Sequence, residues 1–176
     1  MTAPAATPEP SDRTSSWFWG PYAGLGVRVA LAVLLLDQAN KLWMLLIYRI
    51  QDRGRVPVTP FLDLVYVRNT GVSYSMFDSS RYSWQLGLAA FAVVASLALW
   101  IWLCRTGENR LMAWGLALII GGAIGNAIDR LWIGGVADFY SLHAFGFYWY
   151  VFNIADVAIV AGVAALLYDS FIASRN

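Results

Sequence analysis

Two aspartates stand apart from the other charged groups of this chain. Asp138 lies in "GGVADFY" and Asp156 in "FNIADVA". Neither has a Lys or Arg within four residues on either side. Two carboxylates without cationic partners in a partly dry site perturb one another, so that one holds a proton while the other stays ionised. The ionised one can take a proton from water, and the protonated one can donate to a carbonyl oxygen. Those are the requirements of aspartic-type peptide hydrolysis. The same two acids could instead serve a small proton- or cation-coupled membrane transporter.

The remaining embedded polar residues have partners close by. Asp37 and Lys41 are four apart and can pair on a helix. Asn126 precedes Asp129 by three and Arg130 by four, and Asn153 precedes Asp156 by three, so each set shares a helix face. Asp129 and Arg130 read as a pair with a structural role. If such pairs only lock helices together, the chain is a non-catalytic membrane scaffold. Gly121, Gly122 and Gly125 leave a smooth helix surface where another helix or a ligand's backbone can come close. Other chemistries fare worse. Ser73 and Ser75 lack the local spacing to Lys41 of a Ser–Lys dyad. The one histidine, His143, rules out an HExxH zinc motif and reads as a surface loop residue. The one cysteine, Cys104, excludes an intrachain disulfide or a Cys-based zinc cluster. "GGAIGN" lacks the following Lys and the preceding strand of a phosphate-binding loop.

The elements that carry these residues are oily. The 176 residues are 59% hydrophobic and 13% charged, with mean hydropathy +0.56. Soluble domains carry roughly 25% charged residues. A net charge of +1 gives no basic field for nucleic acid. Nine each of Trp, Tyr and Phe suit a membrane protein with interfacial aromatics. Four apolar runs are long enough to cross a bilayer, which takes about 20 helical residues. They are Tyr22–Ile47, Trp84–Leu103, Leu111–Ile133 and Tyr148–Ile172. Residues 1–16, rich in Pro, Thr, Ser and Ala, read as a disordered tail (cytoplasmic, on the family resemblance given below), and 17–176 as one integral membrane domain. In the 48–83 segment Leu62, Leu64 and Tyr66 alternate with Asp63, Val65 and Val67, which predicts a short β element. "GGVADFYSLHAFGF" reads as a loop between the third and fourth spans. The expected fold is a mainly α membrane protein: four transmembrane helices with a small β-containing subdomain, which the family resemblance given below implies to be extracytoplasmic.

Alternation of the spans brings Asp37, Lys41, Asn69, Asn126, Asp129, Arg130, Asp138, Asn153 and Asp156 to one side. Ionisable groups in a bilayer are expensive, so such a cluster is a candidate functional site. The positive-inside rule does not orient it. Five arginines (13, 28, 105, 110 and 175) fall on the side of the termini and five (49, 53, 55, 68 and 81) on the other.

Four blocks carry a resemblance to a known family. "DQANK" at 37–41, "VRNTGVSYSMF" at 67–77, "GGAIGNAIDRLWIGGVADFY" at 121–140 and "FNIADVAIVAG" at 152–162 resemble, in order, the signature blocks of lipoprotein signal peptidase (signal peptidase II). The likeness spans Gly20 to Phe171. It implies a multi-pass enzyme of the bacterial cytoplasmic (inner) membrane, with both termini cytoplasmic and the site at the periplasmic face. It implies an aspartic endopeptidase without metal or other cofactor. Its partners would be membrane lipid and diacylglyceryl-modified prolipoproteins, cleaved just before the lipidated cysteine. The dyad positions fall on Asp138 and Asp156. Asp37, Lys41, Asn69, Gly71, Gly121, Asn126, Asp129, Arg130 and Asn153 match positions that shape or support the site. The signal-peptide helix would pack near the glycines of span three, and the enzyme would act as a monomer. "NTGVSYS" departs from the family, which often has two alanines where Val72 and Ser73 stand.

Overall fold

A computed structural model describes residues 17–71, 82–105 and 109–173. The disordered-tail reading of 1–16, and Ser73 and Ser75, lie outside the described residues. Four helices form, α1 (Ala23–Leu42, continued by a π-helical turn to Ile47), α2 (Tyr82–Arg105), α3 (Arg110–Trp132) and α4 (Ile154–Ala173). All four are long and apolar enough to cross a membrane. Their burial differs. In α3 just over half of the most apolar window is buried within the protein, against about a sixth in each of the others. The central helix α3 packs against α1, α2 and α4. The other helices show large apolar side chains outward, such as Leu35, Phe91, Val160 and Leu167. A helix apolar on every side needs lipid on its unpacked faces.

Local signals set the helix ends. Asn109 caps α3, accepting from the backbone N–H of Leu111 and Met112. Gly134, at φ +69°, takes the left-handed conformation that stops α3. Beyond α1 the chain reverses at Arg49, with φ 52°. Its last carbonyls are met by Gln51 Nε2, 3.0 Å from the Leu45 oxygen, and Arg53 Nε, 2.7 Å from the Tyr48 oxygen.

A four-stranded antiparallel sheet sits at one end of the bundle, in the order β1 (Val56–Thr59), β2 (Leu62–Asn69), β3 (Val136–Ala144), β4 (Phe147–Phe152). Two sequence expectations are corrected here. The 136–147 stretch is not a loop but strand β3 and its hairpin turn. The fourth span begins at Ile154, because Phe147–Phe152 pairs with β3 instead of joining the helix. Six β-branched and aromatic residues in a row suit a strand as well as a span. The alternation predicted along β2 is also broken. Leu64 pairs Tyr140 and Val67 pairs Asp138, so β2 carries one extra residue, a bulge. Phe139, Ala137, Met44 and Ile50 form a small apolar core that fixes the sheet to the end of α1.

Candidate active site

Lys41 is 1% exposed, and its ammonium lies 2.8 Å from both Asp37 Oδ2 and Asp129 Oδ2. It also donates to Asn126 Oδ1 at 3.1 Å. The two carboxylates in turn hold backbone. Asp37 accepts from the Ala155 N–H at 3.0 Å, at the start of α4. Asp129 accepts from the Ala137 N–H at 3.1 Å, on β3. One buried cation and two acids thus fasten α1 and α3 to the strand carrying Asp138 and the helix carrying Asp156. The expected Asp129–Arg130 pair does not form. Neighbouring residues on a helix point about 100° apart. Asp129 faces α1, while Arg130 sends Nη2 to the Gly71 oxygen at 3.4 Å and Nη1 to the Asn126 oxygen at 3.2 Å.

Gln38 was not singled out by sequence. Its amide lies 3.2 Å from Asp37 Oδ2, Asp129 Oδ1 and the Gly125 oxygen alike. Its place beside Asp37 in "DQANK" was the available signal.

Among the described residues, Asp138 and Asp156 are held by asparagines, not cations. Asn153 donates through Nδ2 to Asp138 Oδ1 at 2.6 Å, and Asn69 Nδ2 is 3.2 Å from Asp138 Oδ2. Asn126 Nδ2 is 3.0 Å from Asp156 Oδ1. Asn153 precedes α4, and Asp156 is its third residue. Asn153 Oδ1 accepts from the Asp156 N–H at 2.9 Å, while Asp156 Oδ2 accepts from the Asn153 N–H at 3.2 Å. This reciprocal pair is a capping box, with Asn and Asp in place of Ser and Glu. It orients the second carboxylate by the same bonds that start the helix. Asn153 Nδ2 also reaches Asn126 Oδ1 at 3.2 Å, so the two asparagines bridge the two acids.

Asp138 is 1% exposed. Burial, with the nearby Asp156 charge adding to it, pushes its carboxyl up to about 7. Asp156 is half-buried and lines a cavity of about 370 Å³ with Asn69, Gly71, Asn126 and Arg130; apolar residues of α2, such as Phe91, form its far wall. Asp138 lies behind this wall. Gly71 is placed by Asn69, whose Oδ1 accepts its N–H at 3.1 Å.

Gly121, Gly122 and Gly125 serve helices rather than a bound peptide. A Cβ at Gly121 would stand 2.7 Å from the Ala30 oxygen of α1, one at Gly122 2.5 Å from the Ala155 oxygen of α4, and one at Gly125 2.6 Å from Asp37 Oδ2. The expected packing of a signal-peptide helix on these glycines is therefore corrected, since that face is filled. His143 is on strand β3, half-buried, with Nε2 3.2 Å from Asp63 Oδ1 and its ring stacked on Tyr148. The Arg55 guanidinium, 2.8 Å from Asp63 Oδ2, holds that carboxyl below its usual range. Among the described residues, no three His, Cys, Asp or Glu side chains gather in the manner of a metal site.

Comparison with known proteins gives a consistent result. Residues 29–172 match the family described as signal peptidase (SPase) II. The chain is 54% identical over 152 residues to a lipoprotein signal peptidase of Rhodopseudomonas palustris, covering 84% of this chain and 92% of that one. It is 48% identical to that of Methylocella silvestris, covering 86% and 88%. A solved bacterial membrane enzyme superposes with a TM-score of 0.74 at 25% identity, covering 89% of this chain and 93% of the other. A chain with these matches, and with two cation-free acids set where four membrane-length helices meet a small sheet, belongs to the signal peptidase II family of peptidases.

Proposed function

We propose that Asp138 and Asp156 are the catalytic pair of an aspartic peptidase that removes the signal peptide from diacylglyceryl-modified prolipoproteins, cutting before the lipidated cysteine. One observation carries the assignment. Asp37 and Asp129 are matched to Lys41, whereas among the described residues Asp138 and Asp156 are joined to each other through the amides of Asn153 and Asn126 and to no cation.

The roles follow from position. Asp138 is the more deeply buried and holds the proton. Asp156 borders the cavity at the N-terminus of α4, where the helix favours negative charge. A water placed against Asp156 loses a proton to it, and its oxygen bonds to the scissile carbonyl carbon. Asp138 gives its proton to the carbonyl oxygen. The tetrahedral intermediate then collapses: the leaving nitrogen takes the proton held by Asp156, the C–N bond breaks, and a hydroxyl proton of the intermediate returns to Asp138, leaving the free amine of the lipidated cysteine, a new carboxyl group and both acids as they began. A substrate strand laid over Asn69 and Gly71 brings its carbonyl within reach of Asp138. Arg130, on the cavity wall, supplies positive charge to the developing oxyanion.

The reading takes the enzyme to act as a monomer. An even number of spans puts both termini on one side. The reading places them in the cytoplasm and the sheet in the periplasm, at the inner membrane.

The test uses purified protein and a diacylglyceryl prolipoprotein. Asp138→Asn and Asp156→Asn should each lower kcat by several orders of magnitude. Folded variants that cleave at the wild-type rate would remove the assignment. Exhaustive chelation should leave activity intact.

A further inference from the structure

Between Asp138 and Asp156 the chain has no charged residue. Most of this stretch is the β3–β4 hairpin, which a water-exposed position would leave badly solvated. Phe145 at its tip is fully exposed, and Leu142, Phe147 and Trp149 are each more than 40% exposed. Phe147 and Trp149 sit on one face, rings 5.3 Å apart edge to face. The other face carries His143 and Tyr148, stacked at 4.9 Å, with the Arg55–Asp63 pair beside them. The hairpin is amphipathic across its thickness, as a strand's two-residue period allows.

Its apolar face is continuous with lipid-facing helix. Leu142 and Trp149 line one largely apolar groove, about 420 Å³, together with Val157, Val160 and Ala164 of α4, and Asp156 stands at its upper end. Ala164 lies ten residues beyond the start of α4, about 15 Å along the helix axis. The groove therefore runs from the hairpin down the outer side of α4. Val157 and Val160 there are more than half exposed, on a helix long and apolar enough to span a bilayer.

We propose that the β3–β4 hairpin is a membrane anchor. Its Leu142–Phe147–Trp149 face and the Phe145 tip lie in the lipid–water interface of the leaflet that receives the start of α4, and the occupant of the groove is phospholipid. Aromatic side chains favour that depth. The His143–Tyr148–Arg55 face looks to water. The anchor sets the height of the sheet, and with it Asp138, relative to substrates held by their lipid.

The test rests on membrane insertion and not on cleavage, so its failure is separate from failure of the peptidase reading. In a Cys104→Ala background, Phe145→Cys and, as a control, Asp52→Cys are labelled with an environment-sensitive nitrobenzoxadiazole dye. Each protein is placed in phosphatidylcholine–phosphatidylglycerol nanodiscs. At position 145 the emission should be blue-shifted relative to position 52. It should be quenched several-fold more by lipids spin-labelled near the glycerol than by iodide. Emission matching the control, with quenching by iodide, overturns the proposal. So does a label quenched by neither agent, which marks cover by a second copy of the chain. Shielding that arises only when prolipoprotein is added assigns the groove to the substrate's acyl chain and also overturns it. As an independent reading, Phe147→Ser/Trp149→Ser should raise KM several-fold in nanodiscs with kcat retained, and an unchanged KM counts against the anchor.

Discussion

At the residue scale, Lys41 carries one positive charge between two buried carboxylates that together hold three other elements in place. Removing one partner of such a cluster leaves uncompensated charge, so Lys41→Met should cost on the order of 3–5 kcal/mol. The Lys41→Met/Asp129→Asn double variant should recover part of that loss in thermal unfolding in detergent. Asp138 makes a prediction of opposite sign. Its carboxyl stands at about 7 in the folded protein against an ordinary 3.8, so the folded state binds the proton more tightly. The stability linked to that proton is present below about pH 4 and is lost as pH rises through about 7. Asp138→Asn, neutral throughout, should unfold at nearly the wild-type temperature at pH 4 and at a higher temperature at pH 8. The same proton serves as the proposed acid, so wild-type kcat should fall above about pH 7. Both acids were legible in the sequence because neither has a basic neighbour. The partner of Asp129 was not, because the adjacent Arg130 looks like an ion pair in one dimension and faces elsewhere on the helix.

At the element scale, α3 and α4 approach so closely at Gly122 that a Cβ would lie 2.5 Å from the Ala155 oxygen. Asn126 is one turn further on and holds Asp156. Gly122→Val should push α4 away, stretch that bond and lower kcat sharply, with a stability loss on the order of 1–3 kcal/mol. Gly24→Val, where nothing lies within 4 Å of the added carbon, is the matched control and should keep wild-type activity and unfolding temperature. The helices were legible because an apolar run of membrane length has few alternatives. The sheet was only half legible. β2 showed its alternation before the bulge, but β3 pairs with it across some 70 residues, and no local pattern encodes that pairing. β4 is as apolar as the helix it precedes, so the sequence alone merged the two.

At the scale of the whole molecule, the polar groups gather at one end of the helices. The C-terminal ends of α1 and α3, the N-terminal end of α4 and the sheet all meet there, as the alternation of four spans requires. What the sequence could not supply was the direction, since the ten arginines other than Arg130 of the cluster divide equally between the two sides. The proposed topology puts the sheet outside the cell membrane and the α2–α3 turn inside. In a Cys104→Ala background, Asp52→Cys lies in the exposed loop before β1, and Arg110→Cys lies at the exposed start of α3. A membrane-impermeant maleimide added to intact spheroplasts should label position 52 within minutes and position 110 only after lysis. The reverse pattern would put the acids on the cytoplasmic side, where a lipid-modified substrate emerging from the outer leaflet could not meet them, and the proposed peptidase reading would fall with it. Equal labelling at both sites before lysis would mean mixed insertion, which the arginine tie permits but an enzyme served by substrates from one leaflet does not. The expected result is therefore a single orientation.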